Sequence, residues 1–302
     1  MSIPTWNRFD HQNNLSSEHE EDSPVFILAA GWRSGSTLVQ RLLVSSHEVL
    51  IWGEPYGRSG LIQALTSSAC GLSENWPNQG HFGTEELFDQ PQDHWIANLF
   101  PPAHAMKEAL VSPLHSLLCK PAKERGFKRF GLKEVRLQAI HARFIQWAYP
   151  SARFVFLIRN PYDAWLSARG LGLLAHWSGP VMNDAEKFAT HWARLAHSFL
   201  QWKDESSILI QYEELHTMDL QALAEHCRVS YIDPSVLRTV RGRITKEQKP
   251  PLTASEEAAI RNIAGPLAVQ FGYFGPTHRR CEDSNDLRAA PGGPRVALGD
   301  YL

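Results

Sequence analysis

Arg33, Ser34, Gly35, Ser36 and Thr37 follow almost directly on the apolar run Val25-Phe26-Ile27-Leu28-Ala29-Ala30. One arginine, two glycines (Gly31 and Gly35) and three hydroxyls in so short a stretch suit one kind of chemistry, the holding of an anion. A tight glycine turn leaves several backbone N–H groups unpaired and aimed at one point. A helix N-terminus beyond it adds partial positive charge, and Arg33 adds a full one. The spacing is not that of a Walker A loop, GxxxxGK[ST], because Ser36 and not a lysine precedes Thr37. An ordinary strand-turn-helix joint is the plainer alternative. The density of Arg33 and hydroxyls favours a cradle sized for a phosphate or a related group.

A second run repeats the logic. Arg159 leaves the apolar stretch Phe154-Val155-Phe156-Leu157-Ile158 and is followed by Asn160, Pro161, Asp163 and Ser167. Asn160 suits an N-cap, Pro161 the first helical position and Asp163 the first turn. Ser167 then falls in the second helical turn, eight residues after Arg159. An arginine fork with a hydroxyl matches the oxygens of a phosphate. A salt bridge for Arg159 and a back-bonded helix serine for Ser167 are the alternatives. Glu54 ends a further apolar stretch, Val49-Leu50-Ile51-Trp52, and so lies on the edge where open α/β sheets bind ligands.

These residues need a parallel sheet to bring them together. Strands are expected at 25–30, 49–52, 130–134, 153–158 and 207–211, the last of them buried. Helices are expected from Ser36, over 138–147, from Pro161, over 184–203 and 220–227, and over 255–271. Phe188, Trp192, Leu195 and Phe199 share one helix face. His191 and His197 are six apart, not the four of a helical metal pair, and read as core or surface histidines. The fold class that follows is α/β, one P-loop-like domain over 24–276 with a central parallel sheet flanked by helices on both faces. Between 70 and 128 the pattern blurs. Pro77, Pro91, Pro101, Pro102, Pro113 and Pro121 are expected to break any long helix, while Trp76, Phe82, Phe88, Trp95 and Phe100 stand between them. Exposed aromatics there would make an acceptor-side insertion or lid; otherwise they fasten the insertion to the core. Arg238, Arg241, Arg243, Lys246 and Lys249 form a basic loop against one acid, Glu247. It is either a solvated loop or a further phosphate contact.

Composition narrows the class. The chain has 302 residues and a formal charge of −2, so nothing global points to nucleic acid or an anionic membrane. No apolar run approaches the roughly 18 residues of a membrane span. Residues 1–23 hold five acids against Arg8 and read as a disordered acidic tail; 277–302, rich in Gly, Pro and charge, read as a loose one. Cys70, Cys119, Cys227 and Cys281 are scattered with no CxxC. They are expected to be free thiols of a cytoplasmic protein with no zinc site.

The two runs together resemble the sulfotransferase family that uses 3′-phosphoadenosine 5′-phosphosulfate. Its [RK]-S-G-[ST]-[ST] loop is similar to Arg33-Ser34-Gly35-Ser36-Thr37, and its R-x-x-x-D-x-x-x-S segment to Arg159 through Asp163 to Ser167. Gly131-Leu132-Lys133-Glu134 and Gln211-Tyr212-Glu213-Glu214-Leu215 look like segments of the tyrosylprotein-type enzymes. The resemblance implies that Arg33, Ser34, Gly35, Ser36 and Thr37 hold the 5′-phosphosulfate. It likewise implies that Arg159 and Ser167 hold the 3′-phosphate and that Tyr212 contacts the adenosine; the charge density of the basic loop adds Arg241 and Arg243 as candidate phosphate contacts. Lys133 aligns with a family lysine near the bridging oxygen. The reaction implied is in-line displacement at sulfur by an acceptor hydroxyl of a small molecule, natural product or sugar, with no metal and with 3′,5′-adenosine bisphosphate as product. Aryl sulfotransferases place a basic histidine two residues after that lysine; Val135 stands there, so Glu54 is the expected base and Glu134 its reserve. A P-loop kinase or hydrolase is the rival reading, disfavoured by the missing loop lysine, and a catalytically inactive nucleotide-binding module on the same fold is another. The acceptor and the oligomeric state stay open.

Overall fold

The computed structural model describes residues 22–54, 59–71, 85–97, 99–101, 103–169, 184–202, 204–238 and 250–276. Five strands form one sheet: β1 (Val25–Ala29), β2 (Val49–Trp52), β3 (Arg129–Glu134), β4 (Arg153–Ile158) and β5 (Ser207–Gln211). Their order is β2-β3-β1-β4-β5 and every pairing is parallel. The helices are α1 (Ser36–Val44), α2 (Leu61–Cys70), α3 (Glu85–Asp89), α4 (Ala103–Leu114), α5 (Lys120–Lys123), α6 (Ala139–Ala148), α7 (Pro161–Arg169), α8 (Ala185–Leu200), α9 (Leu220–Cys227), α10 (Ala254–Ile263) and α11 (Gly265–Ala268).

Strand β1 is central and every one of its residues is buried, as a parallel strand covered on both faces must be. The period of two sends Phe26, Leu28, Phe130, Leu132, Phe154 and Phe156 to one layer, where they meet α6, α7 and α8. Val25, Ile27, Ala29, Val155 and Leu157 go to the other, against α1 and α9. The helix starts are specified locally. Gln138 and His141 form a capping box on α6, Asp184 accepts from the backbone N–H of Lys187 on α8, and Thr253 with Glu256 caps α10. The α/β architecture with helices on both faces is as the pattern implies.

Three expectations change. Pro113 does not end its helix: it lies inside α4, and the chain continues through a π-helical turn, His115–Cys119, into α5, where Pro121 occupies the first turn. Strand β5 is an edge strand, not a buried one, and Leu209 is 38% exposed. The last helix is broken at Ala264 into α10, α11 and a 3-10 turn over Val269–Phe271, because Pro266 cannot continue the ladder of α10. Trp76 and Phe82 of the aromatic stretch lie outside the described residues; Phe88 and Trp95 are exposed. Asp22 and Ser23, placed in the acidic tail, are held by Lys123, Arg129 and Ser151.

Candidate active site

The register sets β1, β3 and β4 side by side, so their carboxyl ends deliver Arg33, Lys133 and Arg159 to one edge. The loop after β1 turns sharply into α1. Gly35 has φ 92° and stands at the N-cap with no side-chain cap, so the first N–H groups of α1 point outward without a partner from its own turn. A Cβ on residue 35 would lie 2.1 Å from the Tyr212 ring, so only glycine lets the ring close over the loop. Arg33 itself is left-handed at φ 63°, a backbone position that β-carbon residues adopt at a cost and that recurs at functional sites. The Ser34 hydroxyl is spent inside the loop, donating to the carbonyl of Gly31 at 2.8 Å. Ser36 is buried and Thr37 exposed at the helix start.

The two arginine runs meet. Arg33 Nε donates to Ser167 Oγ at 3.1 Å, and Arg159 Nη1 donates to the carbonyl of Arg33 at 2.7 Å. Arg159 also lies 4.3 Å over the Tyr212 ring. Burial, then the neighbouring Arg159 charge, pull the Arg33 guanidinium below its usual pKa. Two cations this close are eased by anionic groups bound beside them. Arg159 Nε is buried and meets no hydrogen-bond partner among the described residues, which fits an acidic ligand there. The second cradle differs from the expected one in an important respect. Asn160 caps α7 by accepting from the N–H of Tyr162 at 3.0 Å, and Glu213 Oε1 accepts from the N–H of Asn160 at 3.0 Å. The amides of Asn160, Tyr162 and Ala164 are thus already answered, the last by the Asn160 carbonyl, and Arg159 and Ser167 offer an anion their side chains.

A second cluster stands at the ends of β2 and β3. Lys133 Nζ donates to Glu54 Oε1, and Arg136 Nη1 reaches Glu54 Oε2 at 3.3 Å and Glu134 Oε1 at 2.7 Å. Lys133 is only 5% exposed, and it shares the face of Ile27 and α1. Glu134 points to the opposite face, as alternation requires, into a small apolar cleft lined by Leu61, Leu114, Leu118, Leu132 and Leu137. Its Oε1 also accepts from the N–H of Val135 at 2.8 Å, and burial raises its pKa above the ordinary carboxylate value.

Sequence reasoning missed the residues that tie the clusters together. Trp32 has the Arg136 guanidinium 5.1 Å over its ring and stacks on His191 with ring centroids 5.1 Å apart. His191 Nε2 lies 2.9 Å from the carbonyl of Val135, and Arg194 approaches Nδ1 at 3.2 Å. A donor at Nδ1 leaves Nε2–H to bond the carbonyl, so the ring is neutral, and burial lowers its pKa to about 4. Arg136 sits three residues after Lys133, and only the placement of Glu54 reveals its role. Glu213 is likewise structural, since Tyr273 donates to its Oε2 at 2.6 Å. Arg241 and Arg243 lie outside the described residues. Among the described residues no helix is long and apolar enough to cross a membrane.

A family model described as "Sulfotransferase family" matches residues 24–233, a span that contains Arg33, Glu54, Lys133, Arg159, Ser167 and Tyr212. Solved structures of similar fold include the sulfotransferase domain of the curacin biosynthetic pathway. It is 15% identical, covers 84% of this chain and 99% of that one, and has a TM-score of 0.46. The sulfotransferase domain of the Synechococcus PCC 7002 olefin synthase is 16% identical, covers 86% and 98%, and scores 0.43. A sulfotransferase from Alicyclobacillus acidocaldarius is 15% identical, covers 80% and 96%, and scores 0.36. No curated protein matches the chain by sequence.

Proposed function

The chain belongs to the sulfotransferase family, and from that premise we propose that it moves a sulfuryl group from 3′-phosphoadenosine 5′-phosphosulfate to an acceptor hydroxyl. The observation that carries the reading is the joining of two arginine cradles 126 residues apart in sequence, through the Arg159–Arg33 contact. One surface then offers two separate places for anionic groups, as a nucleotide with groups at both ends of its ribose needs.

In this reading Arg33, Ser36, Thr37 and the amides around Gly35 hold the 5′ end. Arg159 and Ser167 hold the 3′-phosphate, with Arg241 and Arg243 as further cations, and Tyr212 bounds the adenosine. When bound, the donor supplies a sulfuryl group with a phosphate as its leaving group. Lys133 brings a positive charge to the side of β3 that faces the Arg33 loop, where negative charge develops. Glu54 is the base for the acceptor hydroxyl. In the pair described, Lys133 and Arg136 occupy the two carboxylate oxygens of Glu54. A shift of Lys133 toward an anion on the Arg33 side frees Oε1, so the same movement places the charge and opens the carboxylate to the acceptor hydroxyl. The cleft floored by Glu134 lies beside Glu54, which supports assigning the segment 70–128 to the acceptor side.

The test is to incubate the protein with the sulfate donor and a panel of hydroxylated small molecules. The reading expects products heavier by one sulfuryl group, together with 3′,5′-adenosine bisphosphate, without added metal. Phosphoryl transfer from ATP–magnesium in its place would make the chain a kinase.

A further inference from the structure

Asp22, His115 and Cys119 come together at the amino ends of the strands, on the edge opposite Arg33 and Lys133. Asp22 lies just before β1. His115 and Cys119 open and close the π-helical turn that leads through α5 to β3. Residues four apart share one helix face, and a single π turn in an α-helical stretch is frequently found at functional sites. The three side chains offer one ligand atom each, and these atoms all lie within 4.8 Å of one another. Cys119 is fully buried, and the Asp22 side chain is 11% exposed. The Cys119 thiol donates to Asp22 Oδ2 at 3.5 Å.

An imidazole nitrogen, a thiolate and a carboxylate make a borderline-soft set that suits Zn²⁺. Tetrahedral zinc with bonds of about 2.0–2.3 Å spaces its ligand atoms at about 3.3–3.8 Å. The sulfur and carboxylate oxygen already meet that spacing. Lys123 Nζ takes Asp22 Oδ1 at 2.9 Å and leaves Oδ2 to the cluster.

An independent feature points to a ligand at the same place. Tyr149, at the end of α6, is fully buried, and its hydroxyl meets no hydrogen-bond partner among the described residues. It is close enough to Cys119 and Asp22 for their charges to act on it. A buried hydroxyl without a partner calls for something to bond, and a water on a zinc ion is such a group.

The geometry points to a zinc site in which Asp22 Oδ2, a ring nitrogen of His115 and Cys119 Sγ hold one Zn²⁺, with a water in the fourth position against Tyr149. Binding releases the thiol proton to solvent. The ion ties the entry of β1 to the α5–β3 connection, and takes no part in sulfuryl transfer. Cys119 is then not the plain free thiol that its isolated position in the sequence suggests.

The test titrates the metal-free full-length protein with Zn²⁺ in competition with a chromophoric chelator, and with Co²⁺ read by absorbance. The site predicts one tight equivalent per chain and a thiolate-to-cobalt charge-transfer band. His115→Ala and Asp22→Asn weaken the zinc by roughly 100-fold or more. Cys119→Ser loses the cobalt band, while Cys227→Ser, at a buried cysteine on the other sheet face, keeps it. Zinc at about 100 times its Kd raises the wild-type Tm by roughly 4 °C, and leaves that of His115→Ala in place. His115 is only half-buried, so that variant folds whatever becomes of Cys119→Ser. Equal zinc affinity in wild type and His115→Ala, or a cobalt complex without the thiolate band, would overturn the proposal.

Discussion

Lys133 Nζ rests on Glu54 Oε1 in a largely buried ion pair, so the proposed charge-bearing lysine and the proposed base hold each other in place. Arg136 completes the arrangement by reaching both Glu54 and Glu134. Removing one member of such a set strands the rest. Breaking a buried pair costs about 3–5 kcal/mol where the remaining charge has no other partner.

Glu54→Gln is therefore expected to do two things. Turnover falls roughly 100-fold or more, the weight of a general base, while donor affinity stays near that of the wild type. Stability falls as well, because Lys133 loses its carboxylate, so rates are compared well below the variant's Tm. Glu134→Gln serves as the control on the opposite strand face. If Glu54→Gln keeps full turnover and Glu134→Gln loses it, the base is Glu134.

Gly35→Ala is expected to abolish nucleotide binding and to destabilise the fold by roughly 2–5 kcal/mol. The new methyl meets the Tyr212 ring, and the residue must hold a positive φ. Denaturant midpoints and calorimetry read the two effects. A variant as stable as wild type that still binds nucleotide would mean that Tyr212 does not close over the loop.

The sheet and both arginine cradles were legible because each rests on local signals. Val25–Ala29 and Arg153–Ile158 are near-continuous apolar runs, and Gly35 and Asn160 punctuate them. What joins them was not legible. The Arg33–Ser167 contact spans 134 residues, and nothing local in either run announces the other. Arg136 reads as an ordinary charged residue until the fold sets Glu54 beside it, and Trp32 as a loop aromatic until His191 and Arg136 flank it. Glu213 shows the converse. It stands in a segment that resembles the family's beside Tyr212, yet in the fold it is bound to Asn160 and Tyr273. The π turn was not legible because Pro113 reads as a helix end and no local signal marks the turn that begins at His115.

His191 gives stability a dependence on pH. Its pKa is about 4 in the fold and 6.5 ordinarily, so between these values the unfolded chain binds more protons than the folded one. Stability is then lost as pH falls through that window, by about 1.5 kcal/mol from this group between pH 6.5 and 5. His141, likewise lowered by burial to about 4, acts in the same direction. His191→Gln keeps a donor for the carbonyl of Val135 and removes the titration, so its denaturant midpoint changes less across this range. An unchanged slope in the variant would place the titrating group elsewhere.

Arg159→Ala is expected to weaken 3′,5′-adenosine bisphosphate strongly, by about 1.5–3 kcal/mol for a charge-assisted contact. Its effect on 5′-AMP is smaller and comes through the lost bond to the Arg33 carbonyl. Equal losses for the two ligands would show that Arg159 reads no 3′ group.

The most direct test of the account is calorimetry of the full chain, without metal, against 3′,5′-adenosine bisphosphate and ATP. Arg33 and Arg159 are joined by their own contacts but offer two separate cradles, suited to two separate phosphates and not to one triphosphate chain. The account predicts tight, one-to-one binding of the bisphosphate and weak binding of ATP. ATP binding as tightly as the bisphosphate, or more tightly, would contradict it.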